Sequence, residues 1–440
     1  MDWWEQILLI AFWGIGGGIF TWVIINLFEG QKVSSIAMLT FVIGFLIRAL
    51  LIVVNEEFQF IPEKLAGNFS LQHYDYFFRG GHGISDLLGE EFAAQVFLNL
   101  PAWILFGAER ISLLMSNACV GAIAAPVAAG LLYRPLGDRA AIRALVLISI
   151  YPGALNFSIF GLRDPLIFTA MVILACGVAR SWLIGMTFRN IGLVVISASL
   201  TLWLRPELAY VVFMVAMIPI INLYLAMLQG ARRSQKNYAN LIVITLPLIL
   251  VGLLAVVAAT RIASSNIGAT TANPFEIAGE ASTNRFERHT HRSFGAGSNV
   301  MTTESYASLP IYLRIPVQTA GMIVLPFPWQ IRNAQRLFAF GDSMLLMGMI
   351  LFVCVNLRFA SPFRQAGAGR LTAMLMLVFL VGILGMGFVV SNSGNGFRMR
   401  LAVTPLLFVA ASTVPVLIRL SLGRTKKPLR SFASRTQALI

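Results

Sequence analysis

Five short constellations hold most of the polar chemistry in an otherwise apolar chain. The first is Gln72-His73-Tyr74-Asp75-Tyr76, followed by Arg79, His82 and Asp86. A carboxylate flanked by aromatics at a bilayer face could accept the proton of a sugar hydroxyl as that hydroxyl attacks an activated sugar. General base work of this kind needs the carboxylate within hydrogen-bond reach of the hydroxyl. On that reading Asp75 is the base, and His73, Tyr74 and Tyr76 line the sugar. On the plainer reading Asp75 is a solvated loop carboxylate. The second constellation is Tyr151-Pro152, then Phe160-Gly161-Leu162-Arg163-Asp164-Pro165. An aspartate before a proline suits a helix entry, and the proline suits the first helical turn. Asp164 therefore either caps a helix or lines a site. Arg163 either pairs with Asp164 or meets an anionic ligand.

The third constellation is Trp203-Leu204-Arg205-Pro206-Glu207 and the fourth is Pro326-Phe327-Pro328-Trp329-Gln330-Ile331-Arg332. The fifth is Asn392-Ser393-Gly394-Asn395-Gly396-Phe397-Arg398-Met399-Arg400. Arginine recurs in all five. Its planar fork of donors matches phosphate oxygens in a way that the point charge of lysine does not. Arg163, Arg205, Arg398 and Arg400 thus read as candidates for holding a phosphate or pyrophosphate. Asp164, Glu207, Trp329 and Arg332 read as candidates for lining a sugar or its acceptor. The alternative for the arginines is pairing with lipid phosphates and loop carboxylates.

The elements that must position these residues are set by the solvent. The chain has 440 residues, 58% of them hydrophobic and 12% charged, and a mean hydropathy of +0.78. A soluble domain carries roughly 25% charged residues, so most of this surface faces lipid. Apolar runs of the length needed to cross a bilayer recur from end to end. In lipid the backbone must satisfy itself, which makes these runs helices. The spans read as 7–28, 35–54, 111–133, 144–160, 166–184, 190–204, 208–228, 239–260, 341–357, 371–391 and 401–420. The fold class is all-α, a polytopic transmembrane helix bundle of about eleven spans. Segment 311–330 carries Pro316, Pro326 and Pro328 after Pro310. Proline removes a helix donor and clashes with the preceding turn, so this segment reads as re-entrant or broken. The first run does not resemble a cleavable signal, because Asp2 and Glu5 stand where a basic stretch belongs.

Orientation follows from Lys and Arg in the short loops. Basic residues gather in 134–143, 229–238, 358–370 and the tail 421–440. All four lie in the cytoplasm together only if 311–328 does not cross. Residues 1–440 then form a single membrane domain with two long outer segments, 55–110 and 261–310, and a basic cytoplasmic tail. The five constellations share the outer face and read as one cavity. The net charge of +14 is spread over loops, with no basic domain to hold a nucleic acid. Arg48 lies inside the second span, where it pairs with Glu56 or Glu57, lines the cavity, or snorkels to the headgroups. Cys119, Cys176 and Cys354 read as small core residues. Gly14 and Gly16 to Gly18 read as sites of close helix packing. There is no Walker-type loop and no paired metal-ligand spacing, which argues against a primary pump.

This pattern resembles the GT-C superfamily of membrane glycosyltransferases, especially bacterial relatives of the protein-mannosyl and lipid-A arabinosyl transferases. The residues that carry it are Asp75 in His-Tyr-Asp-Tyr, Tyr151-Pro152 followed by Leu162-Arg163-Asp164-Pro165, and Phe397-Arg398-Met399-Arg400 opening a late span. Pro326-Phe327-Pro328-Trp329 is similar to a motif in GT-C-like proteins of exopolysaccharide gene clusters. The resemblance implies a first-loop catalytic aspartate, matched here by Asp75. It also implies a polyprenyl-phosphate-linked sugar as donor, a glycan or lipid acceptor, and an active face outside the bacterial inner membrane. No cofactor is required by it. Some members use a divalent metal, for which His73, Asp75 and His82 are the candidate ligands. The chain departs from the pattern in having two spans before the loop, no obvious paired acidic motif and no large soluble domain after the last span. Other functions compatible with the sequence are a repeat-unit polymerase or ligase, and a polytopic transporter or flippase.

Overall fold

A computed structural model describes residues 3–28, 30–58, 93–107, 109–159, 163–231, 309–324, 326–331, 334–359, 367–387 and 398–414. Among these residues every regular element is helical. The helices are α1 (Trp3–Leu27), α2 (Gln31–Phe58), α3 (Ala93–Phe106), α4 (Arg110–Leu136), α5 (Asp138–Ser149), α6 (Pro152–Ser158) and α7 (Asp164–Leu183). They continue as α8 (Phe188–Leu204), α9 (Ala209–Ala231), α10 (Ile311–Val324), α11 (Ala334–Phe359), α12 (Ala368–Gly387) and α13 (Thr404–Thr413).

Seven of these, α1, α2, α4, α7, α9, α11 and α12, are long and apolar enough to cross a membrane, and α5 with α6 forms one further candidate bent by 52°. The chain is a multi-pass membrane protein. Among the described residues the helices at two expected spans are shorter than a crossing requires, and 415–420 of the second lie outside those residues. Helix α8 has 17 residues and α13 has 10, against the roughly 20 that cross a hydrocarbon core. The expected span 239–260 lies outside the described residues, as does the tail 421–440. Helix α10 is 14 residues long with Pro316 inside it, about 21 Å at 1.5 Å per residue. The chain then passes through a single 3-10 turn, Pro328–Gln330. The first polar segment holds an apolar helix that the charge pattern obscured. Helix α3 is short, and Pro101 interrupts it.

The centre of the bundle is built from small residues. Helix α4 packs against α1, α2, α5 and α7 and is buried over almost its whole length. Its inner stretch, Ser116 to Gly130, is mostly alanine, glycine and serine. Lipid offers little hydrophobic drive for helix association, so close backbone approach and dispersion must supply it. At Gly30 a Cβ would lie 2.8 Å from the Gly130 Cα, which fixes both positions as glycine. Gly17 does the same between α1 and its neighbours, where a Cβ would sit 2.8 Å from the Phe41 ring. The expected packing role of the first glycine run holds there, whereas Gly16 faces open space. On the outside, α1 and α2 present a broad apolar face, as lipid contact requires. Cys119 and Cys176 are buried, Cys354 is exposed on the apolar surface of α11, and none is in a disulfide.

Arg48 turns into the bundle. Its Nε donates to Ser158 Oγ at 3.2 Å and its Nη1 to the Gly44 carbonyl at 2.9 Å. Glu56 pairs with Arg110 at 3.3 Å instead. Buried guanidinium donors need acceptors, and the bend between α5 and α6 places Ser158 to serve as one.

Candidate functional site

Three distant turns meet at one end of the bundle. Helix α7 begins at Asp164, with Arg163 as the residue before it and Pro165 in its first turn. Helix α8 runs back antiparallel and ends at Arg205, which takes an extended backbone (φ −152°, ψ 83°). Pro206 follows, and the residue before a proline is pushed out of the helical region. That break takes Arg205 off the register of α8. Arg398 opens the single helical turn 398–401 that leads into α13.

The Asp164 carboxylate is the hub. Arg398 Nε lies 2.7 Å from Oδ2 and Arg205 Nη2 lies 3.4 Å from Oδ1. Asp164 is 2% exposed, Arg205 3% and Arg398 30%. Asp164 thus bridges two arginines, and no side-chain cap bond closes the start of α7. Arg163 is buried at the same helix entry, within electrostatic reach of Arg205. Burial draws the Arg205 guanidinium below its usual range and Asp164 pulls it back up, with Arg398 and Arg163 opposing. Arginine remains charged at any physiological pH.

Two guanidinium groups, those of Arg205 and Arg398, therefore share one buried carboxylate, with the Arg163 charge close by. Glu207 also acts on Arg205, but its side chain is exposed. Arg205 Nε has no hydrogen-bond acceptor among the described residues. The first turn of α7 adds backbone donors and the positive end of a 20-residue helix. Trp203 stands beside Arg205, with its ring centroid 6.3 Å from that of Phe97 on α3. Phe327 and Trp329 stack at 4.7 Å with ring planes 11° apart, and Trp329 is 74% exposed.

Arg400 is placed elsewhere, which corrects its assignment to the phosphate set. It is fully buried and lies 2.5 Å from Asp342 Oδ2 of α11, itself fully buried. Its other donors go to the carbonyls of Met322, Ile323 and Ala339. It therefore ties the end of α10 to α11. Residues two apart on a helical turn point about 200° apart, so Arg398 and Arg400 serve opposite sides of their turn. Beside this pair Tyr151 is buried between Phe168 and Phe408 and donates its hydroxyl to Thr404 at 3.3 Å.

The structure brings together Arg163, Asp164, Arg205 and Arg398, with Glu207 at the rim. Asp75, His73, Tyr74, Tyr76, His82 and Arg332 lie outside the described residues. Among the described residues no group of three or more His, Cys, Asp or Glu side chains could hold a metal. Compared with protein families, curated proteins and solved structures, the chain has no significant match.

Proposed function

We propose that this protein is a membrane glycosyltransferase of polysaccharide biosynthesis. It moves a sugar from a polyprenyl-phosphate-linked donor to a glycan or lipid acceptor at the outer face of a bacterial inner membrane. The supporting observation is the Asp164 hub, where one buried carboxylate holds Arg205 and Arg398 side by side at the entry of α7. Such a site suits a lipid phosphate that gains charge as it leaves. In the reaction the acceptor oxygen forms a bond to the anomeric carbon while the bond from that carbon to the phosphate oxygen breaks. The electron pair goes to polyprenyl phosphate, and preorganised guanidinium donors stabilise it there. Asp75 takes the acceptor proton, and the exposed Trp329 ring offers a stacking face for sugar. Asp164 holds Arg205 and Arg398 in place before the donor arrives.

The test is transfer of labelled sugar from a polyprenyl-phosphate donor in proteoliposomes. Removing one such donor group costs roughly 100- to 1,000-fold in rate, which is the loss expected for Arg398→Ala. Asp75→Asn is expected to abolish transfer with the protein still inserted and stable. Full activity in Asp75→Asn would remove the base and favour the repeat-unit polymerase or ligase reading.

One observation favours transport as a second reading. The fully buried Asp342–Arg400 pair sits about 12 Å along α11 from its start, and ionisable groups within a span often mark solute or proton pathways. Uptake of labelled solute into proteoliposomes without glycosidic product, lost in Asp342→Asn, would support it.

A further inference from the structure

Three consecutive residues of the turn 398–401 do different work. Arg398 brings its Nε to Asp164 Oδ2. The next residue, Met399, meets the hub from the same turn, with Arg205 Nη1 donating to its Sδ at 3.4 Å. The third, Arg400, reaches the other way, to Asp342 of α11 at 2.5 Å. Two side chains of the turn thus meet the hub, and the third is fixed in the core of the bundle.

The fixed end is tied on several sides. Beside the ion pair, Arg400 donates to the carbonyls of Met322 and Ile323 at the end of α10 and of Ala339 in α11. Its own carbonyl accepts the Thr404 hydroxyl at 2.8 Å and the Val403 N–H at 3.1 Å, which joins the turn to the start of α13. Asp342 Oδ1 lies against the first turn of α6, where a Cβ on Gly153 would stand 2.6 Å from it. Four elements, α6, α10, α11 and α13, therefore meet at one pair. A charge left alone in that interior is costly, so the pair fixes the Arg400 side chain and, through it, the backbone of the turn. The tolerance is small. A backbone shift of about 1 Å would carry the 2.7 Å contact of Arg398 with Asp164 out of hydrogen-bond range.

We propose that Arg400 and Asp342 are positioning residues for the Asp164 hub. Their buried pair sets where the turn stands, and so holds Arg398 on Asp164 and Met399 on Arg205 before a ligand arrives. The role rests on the reading of the hub as the site of the donor phosphate.

The experiment uses the full-length protein in detergent, with a short-chain polyprenyl phosphate as ligand and the melting temperature read beside the affinity. Asp342→Asn with Arg400→Gln removes both charges together, so neither is stranded. It is expected to weaken binding roughly 10- to 100-fold, the scale of a 1 Å misplacement. In the Arg398→Ala background the same double change is expected to cost far less, because the main side chain it positions is gone. Gly153→Ala crowds Asp342 while leaving both charges in place, and it should show the same dependence on Arg398. Gly30→Ala is the control for lost stability. Gly30 packs on Gly130 at the other end of the bundle, where Arg180, 16 residues beyond Asp164 on α7, donates to the Leu131 carbonyl at 2.8 Å. This control should lower the melting temperature and leave the affinity unchanged. A double variant that melts lower yet binds as the parent does overturns the proposal, and so does an equal loss of binding with and without Arg398. If the parent itself does not bind polyprenyl phosphate, the donor-phosphate reading falls, and the same cycle on melting temperature without ligand decides the positioning role. The loss from Arg398→Ala should then shrink once Asp342 and Arg400 are neutral, and strict additivity overturns the proposal.

Discussion

Replacing Asp164 with asparagine removes the charge at the hub and keeps its shape. Arg205, 3% exposed, then loses the buried carboxylate it pairs with, and Arg398 loses a contact of 2.7 Å. Breaking a buried pair by removing one partner costs roughly 3–5 kcal/mol, because the remaining charge stays buried. Arg398 is 30% exposed, so water screens its share. The lower end, about 3 kcal/mol, is therefore the expected loss, or about 5 °C or so in melting temperature for a large chain. Anion binding adds a second, opposite effect. With the carboxylate gone, Arg205 and Arg398 lose the negative charge they share, so a phosphate ligand should stabilise Asp164→Asn more than it stabilises the parent. The assay is thermal unfolding of both proteins with and without a short-chain polyprenyl phosphate. A variant that melts within a degree of the parent, or gains no more from the ligand than the parent does, refutes the reasoning.

Other expectations follow from burial. Arg400→Gln should cost about 3–5 kcal/mol, since it strands a fully buried Asp342. Combining it with Asp342→Asn should recover part of that loss, seen as non-additivity in thermal melts. Arg110→Ala breaks a partly exposed pair with Glu56, and the loss of that pair should cost less than about 1 kcal/mol in the same assay. Gly30→Val drives side-chain atoms into the Gly130 backbone and should lower the melting temperature by the equivalent of about 1–3 kcal/mol or more, the scale of overpacking.

The convergence of Arg163, Asp164 and Arg205 was legible because consecutive antiparallel helices return to the same end of a bundle. The turn before one span and the turn after the next must share a face. Arg398 followed by the same alternation. Arg400 did not, because two residues on a helical turn face opposite ways and the sequence pattern groups them as one motif. Its partner Asp342 was hidden in an apolar span, where a lone carboxylate is the only signal and the matching cation lies 58 residues on. Arg180 was missed for the same reason: nothing local to it reveals the carbonyls of Leu131 and Phe28. Helix α3 was obscured by its shortness and by Gln95, Asn99 and Pro101. Both polar side chains turn inward, with Gln95 donating to Asn117 and Asn99 to the Gln95 carbonyl.

The most direct test of the Asp164 hub as a lipid-phosphate site is the affinity of purified protein for a short-chain polyprenyl phosphate, measured for the parent and for Arg398→Ala. Arg398 is the most accessible of the three arginines, so the variant should stay folded. A hydrogen bond to a charged group contributes about 1.5–3 kcal/mol, so binding should weaken roughly 10- to 150-fold. Equal affinity in the two proteins, with both intact, would contradict the account.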